Sequence, residues 1–196
     1  MRLLSAEVLK VRTAPRTLLG LLLGLLALSV LGSASTARGV SESPLGEAET
    51  ETRWDVLSVG TTASIFTLVL GVLIVTWEYR HGTITQTFLA TPRREWVMGS
   101  KFAVALVVGA VLAALCLIAV LVTATLWISI DLTGGQWQMV GRLILGAALW
   151  GVLGAGIGAT LQSQVGAIVA VFVWFLVAEP LIGVSFDRFA DYLPGG

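Results

Sequence analysis

Residues 143–178 read LILGAALWGVLGAGIGATLQSQVGAIVAVFVWFLVA, and none of them carries a charge. A helix that crosses the hydrocarbon core of a bilayer needs about 20 apolar residues, so this stretch is too long for one ordinary span. Its one polar cluster is Gln162-Ser163-Gln164. Breaking it there predicts a helix over 140–161, a tight turn, and a second helix over 165–184. Two such helices in succession mark a chain that lives in a membrane.

Three more uncharged apolar stretches lie upstream, at 17–37, 56–77 and 102–130. The last is long enough to span with a tilt or to project beyond the bilayer. The composition agrees: of 196 residues, 56% are hydrophobic and 12% charged, with a mean hydropathy of +0.91. Soluble domains carry about a quarter charged residues, so too little polar surface remains here to keep the chain in water. Lys plus Arg and Asp plus Glu each number 12, which excludes a basic nucleic-acid binder. The single cysteine, Cys116, cannot close an intramolecular disulfide, and the single histidine, His81, excludes a site that needs two imidazoles. The expected fold is all-α: one transmembrane domain over 1–196 with five spans in contact with lipid.

Before the first span, Leu4, Val8 and Val11 recur at helical spacing, and Pro15 ends the run. The pattern reads as an amphipathic helix over 1–14 lying along the membrane surface. An ordinary basic flank of the first span fits the composition equally well. Ser33-Ala34-Ser35-Thr36-Ala37 is small enough for signal-peptide cleavage, but the long patterned segment ahead of the span, with Glu7 in it, favours a retained helix. Lys and Arg in short loops set orientation. The amino-terminal segment is basic through Arg2, Lys10, Arg12 and Arg16, and the 78–101 loop is basic through Arg80, Arg93, Arg94 and Lys101. The 38–55 loop is acidic through Glu42, Glu47, Glu49, Glu51 and Asp55. These charges predict an amino terminus in the cytoplasm, 38–55 outside, and both 78–101 and Gln162–Gln164 inside.

The 78–101 loop is patterned beyond what a connector needs. Gly82 breaks the descending helix, and Thr83 with Gln86 forms a capping-box pattern. Ile84 and Phe88 share one face at i, i+4, next to Leu89. Thr91-Pro92 reads as the cap of the following helix, with proline at its first position. The expected result is a separate two-turn helix over 83–90, too short to be stable in water unless Ile84 and Phe88 pack on something. The membrane surface, the rest of this chain and a cytoplasmic partner are the three choices; the caps favour a partner.

The stretch Glu78-Tyr-Arg-His-Gly-Thr-Ile-Thr-Gln-Thr-Phe-Leu-Ala-Thr-Pro-Arg-Arg resembles the first cytoplasmic loop of ABC-2 type transporter permeases, above all small actinobacterial ones regarded as multidrug exporters. Ala6–Thr13 is similar to that family's interfacial elbow helix, and Gln162–Val169 and Val177–Leu181 are similar to its fourth-to-fifth helix region. The resemblance implies the membrane subunit of an ATP-driven exporter in the bacterial cytoplasmic membrane. It implies a homodimer or a dimer with a sister permease, and an amphipathic drug, lipid or peptide as cargo. The segment matching 83–90 would be the coupling helix that docks on a separate ABC ATPase, with Glu78, Gly82, Thr83, Ile84, Gln86, Phe88, Leu89, Pro92 and Arg93 as its coupling residues. Gln162 and Gln164 would form a second, smaller contact. The family normally has six spans, and five are read here up to Gly196. ATP and Mg would be bound by the partner, since no G-x-x-x-x-G-K-[ST] pattern occurs in this sequence.

Within the spans, Glu179 is the one acid, followed by Pro180, which cannot donate to the carbonyl of Leu176. The pair reads either as a polar point on a substrate path or as a hydrated acid at a helix bend. Trp174, like Trp150, lies deep enough to line a path, although packing explains both. Gly154 and Gly158 form a small-xxx-small pair suited to close helix packing within the chain. Trp54, Trp77, Trp96, Trp127 and Trp137 fall near span ends, as interface anchors do. No catalytic constellation and no metal site is read: there is no G-x-S-x-G, and Glu179 has no acidic partner within a span. The alternative function is a non-transporting accessory or immunity protein that binds partners.

Overall fold

The computed structural model describes residues 15–41, 59–82, 94–126 and 134–178. These residues form α1 (Pro15–Ser41), a 3-10 turn (Val59–Thr61) leading into α2 (Thr62–Arg80), α3 (Arg94–Thr125), α4 (Gly134–Leu161) and α5 (Gln164–Val173). α5 passes into a π-helical turn at Trp174–Ala178. The first four helices are each long and apolar enough to cross a membrane, and 164–177 is a shorter apolar segment. The protein is a helical membrane protein. The expected helices over 1–14 and 83–90, the stretch 42–58, the Thr91-Pro92 corner, residues 127–133 and everything from Glu179 onward lie outside the described residues.

α2 is rich in β-branched residues (Ile65, Val69, Val72, Ile74, Val75, Thr76), which favour strands in water. In hydrocarbon the preference is overridden, because a backbone without water must satisfy its own hydrogen bonds and a helix does so within one segment. Side-chain hydroxyls follow the same rule. Ser29 donates to the Leu25 carbonyl at 2.6 Å, Thr76 to Val72 at 2.8 Å and Thr123 to Ala119 at 2.8 Å.

Helix boundaries differ from the expected ones because a charged residue need not end a helix: it can be buried in a pair or stand on an exposed face. α2 continues past Trp77 to Arg80, and α3 begins at Arg94 rather than Phe102, so Glu78 and Lys101 are helical residues and not loop ends. α4 begins at Gly134, ahead of Val140, and carries Arg142 on an exposed face. α1 extends through Arg38 to Ser41. The fifth span expected over 165–184 is an α-helix only to Val173 among the described residues. Proline at position 180 removes one donor from the i→i−4 ladder, and a π turn is one way a helix adapts to such a loss.

α2 forms the centre of the bundle and packs against α1, α3, α4 and α5. Half of its apolar stretch is buried, against 17% for that of α1. Neighbours in sequence alternate in direction. Gly24 lies by Phe66 and Gly32 by Val59, so α1 and α2 are antiparallel; Gly109 faces Thr67 and Ala148 while Lys101 meets Glu78 and Ala105 meets Gly151, so α3 is antiparallel to both α2 and α4. Leu25, Leu70, Leu112, Cys116 and Val120 fill the space between α1, α2 and α3. There the Ser29 hydroxyl and the Cys116 thiol meet at 2.9 Å. Cys116 is fully buried, so it is expected to resist a water-soluble maleimide in the folded protein and to react once the protein is denatured in hot detergent; mass spectrometry reads both.

The tightest seam joins α2 to the parallel α4. A Cβ built on Gly71 would overlap the Gly151 carbonyl, and one on Gly154 would overlap the Leu68 carbonyl. Backbones come this close only where side chains are absent, and van der Waals contact then replaces the hydrophobic driving force that lipid removes.

Candidate functional site

The alternation of helices gathers the end of α2, the start of α3, the end of α4 and the start of α5 at one end of the bundle. Among the described residues, the last turn of α2 makes a polar link to α3 and another to α5 there. The first is internal. Glu78 Oε1 lies 2.8 Å from Lys101 Nζ, with the side chains 4% and 0% exposed. Antiparallel packing brings them level, Glu78 in the last turn of α2 and Lys101 about two turns into α3. Charges so withdrawn from water are tolerated only in close pairing, since desolvation of a lone ion costs several kcal/mol.

The second link is external. Arg80 Nη1 donates to Gln164 Oε1 at 3.1 Å, joining the end of α2 to the first residue of α5. On the same turn the rings of Trp77 and His81 stack with centroids 4.7 Å apart, and His81 Nδ1 lies 2.9 Å from the Trp77 carbonyl. α2 then stops at Gly82, whose φ of +67° is left-handed and suits glycine, with its N–H donating to the Tyr79 carbonyl at 3.3 Å.

The turn between α4 and α5 is equally defined. Gln162 takes a φ of +52°, and Ser163 is extended at φ −131°. Ser163 Oγ accepts from the Gly166 N–H at 3.3 Å, capping α5. The polar triplet is thus a corner with a built helix start rather than a slack connector.

The residues singled out from sequence separate into five groups. Gly82, Gln162 and Gln164 come together at this end, with Gln162 exposed and Gln164 half-buried against Arg80. Glu78 is not offered at a surface: it is buried against Lys101. Gly154 and Gly158 face α2. Trp174 is 46% exposed at the start of the π turn, while Trp150 packs on Phe175 at 5.9 Å between ring centroids. Thr83, Ile84, Gln86, Phe88, Leu89, Pro92, Arg93, Glu179 and Pro180 lie outside the described residues.

Lys101 requires a correction. Its charge reads from sequence as a solvated member of a basic loop, but it is fully buried in α3 and paired. The signal was available: Glu78 and Lys101 are opposite charges that close two consecutive apolar stretches, where antiparallel helices would bring them level. Gly71 also went unmarked, because its importance depends on which helix faces it. Searches of the chain against protein-family models, curated proteins and solved structures return no match.

Proposed function

We propose that the chain is the membrane subunit of an ABC-2 type exporter, moving an amphipathic substrate outward while a separate ATPase subunit hydrolyses ATP. One observation supports this most. The two segments that resemble the family's ATPase-facing elements, the stretch following Gly82 and the Gln162–Gln164 turn, leave the bundle at the same end and are linked through Arg80 and Gln164. That end would face the cytoplasm, as the basic charge of the 78–101 loop requires.

In this reading the ATPase pushes on the 83–90 segment, and the push enters α2 and α3 together because the buried Glu78–Lys101 pair joins them at the base of the loop. The seam of α2 with α4 then carries it into the rest of the bundle. Glu78 acts as a positioning residue inside the permease rather than as a contact for the motor.

The test is affinity purification from native membranes in mild detergent, with mass spectrometry of the chains that follow. A stoichiometric ABC ATPase is expected. Ile84→Glu and Phe88→Glu are expected to reduce its recovery roughly tenfold or more, equivalent to about 1.4 kcal/mol of lost contact, with the permease still eluting as a folded species. If no ATPase accompanies a well-folded protein, the exporter reading fails; if both variants retain it fully, the 83–90 segment is not the docking element.

A further inference from the structure

α2 holds its two neighbours in unlike ways. Its last turn holds α3 through an ion pair sealed from water, Glu78 with Lys101, while the middle of α2 holds α4 by backbone contact at Gly71, Gly154 and Gly158. These three helices have no loose seam between them. α5 is held differently. Of its side chains only Ala167 and Val171 are buried, against Leu68 and Val72 of α2, with the half-buried Trp150 and Ile157 of α4 and Ile168 of α5 packed on the same cluster. Its polar tie, Arg80 to Gln164, is exposed and exchangeable with water.

The backbone changes form at both ends of α5. At its start, Gln162 and Ser163 turn the chain with one left-handed and one extended residue, and both are exposed. A non-glycine residue in the left-handed region is held there by its surroundings and can leave it with relief. At its far end the α ladder gives way to the π turn at Trp174–Ala178.

We propose that α5 is a swinging element, pivoting at Gln162–Ser163 against a rigid body of α2, α3 and α4, with the Arg80–Gln164 hydrogen bond as the catch that holds it to α2. Motion at such a joint separates Ala167 and Val171 from Leu68 and Val72, and from the adjoining Trp150 and Ile157 of α4, without breaking the ion pair or the glycine seam. Every part belongs to this chain, so the device stands apart from the exporter reading.

Distance measurements between spin labels test it on the full chain in lipid nanodiscs, in a Cys116→Ala background. One pair, Gly99→Cys with Val169→Cys, spans α3 and α5; the other, Gly99→Cys with Gly156→Cys, spans α3 and α4. A Cβ at Gly99 or Gly156 meets nothing within 4 Å, and Val169 is exposed. Arg80→Ala and Gln164→Ala are each expected to widen the α3–α5 distribution and add a longer population, leaving the α3–α4 distribution unchanged. Gln164→Glu, which keeps an acceptor for Arg80, is expected to leave the first distribution narrow. The proposal is overturned if both alanine variants keep the native α3–α5 distribution, or if both label pairs widen together.

Discussion

Lys101→Met is expected to destabilise the folded protein by about 3–5 kcal/mol, the usual consequence of removing one member of a buried ion pair. The Glu78 carboxylate would remain inside the bundle, where it lies against Lys101 at 2.8 Å. It must then either keep its charge without the ammonium or take up a proton to be neutral. Both routes cost free energy that the native pair avoids. Glu78→Gln with Lys101→Met removes both charges and is expected to recover most of the loss, because the pair's own net contribution is small once both desolvation costs disappear. Equilibrium unfolding of the purified protein in mixed micelles measures each variant. A single Lys101→Met variant within about 0.5 kcal/mol of wild type would show that the ammonium is solvated after all.

Gly154→Ala is the second large effect. The added methyl overlaps the Leu68 carbonyl, and that carbonyl belongs to helix backbone that cannot rotate away. α2 and α4 must therefore separate along the whole seam, giving up contacts at Gly71, Gly151 and Gly158 together. A cost at or above the usual overpacking range of about 1–3 kcal/mol is expected, and Gly71→Ala should behave alike because its methyl meets the Gly151 carbonyl. Gly156→Ala is the internal control. It lies in the same helix with open space at its Cβ, so it is expected to be neutral, or slightly stabilising through alanine's better helix propensity. Equal losses at 154 and 156 would place the effect in helix propensity rather than in the seam.

The two effects describe a body in which α2 is fixed on two sides by different physics. Toward α3 it is fixed by charge, near the end where the helices leave the bundle. Toward α4 it is fixed by shape, nearer its middle. A push delivered at residues 83–90 would meet the charged anchor first, and the absence of side chains at the seam leaves little slack for α2 to slide on α4. α5, with only Ala167 and Val171 buried, is the element that the proposed pivot at Gln162–Ser163 would let respond.

Much of this was legible in residue order alone. Length and the absence of charge were enough for the four long apolar helices, because in a bilayer a helix is the one form in which a single segment satisfies its own backbone hydrogen bonds. The Gln162-Ser163-Gln164 break and the Gly82 stop were legible for the same local reason: polar or glycine residues interrupt a ladder where they stand. Small residues at 154 and 158 announced a close approach, but not its partner. Which helix came close, and that Gly71 opposite was needed to allow it, depended on a neighbour distant in sequence. Charge misled for that reason too. Glu78 and Lys101 read as solvated loop ends when taken singly, and only the antiparallel docking of α2 and α3 turned two costly charges into one tolerable pair. Local hydrogen bonding and hydropathy are properties of a segment, so the sequence determines them; desolvation and contact are properties of pairs, and the tertiary structure alone decided those.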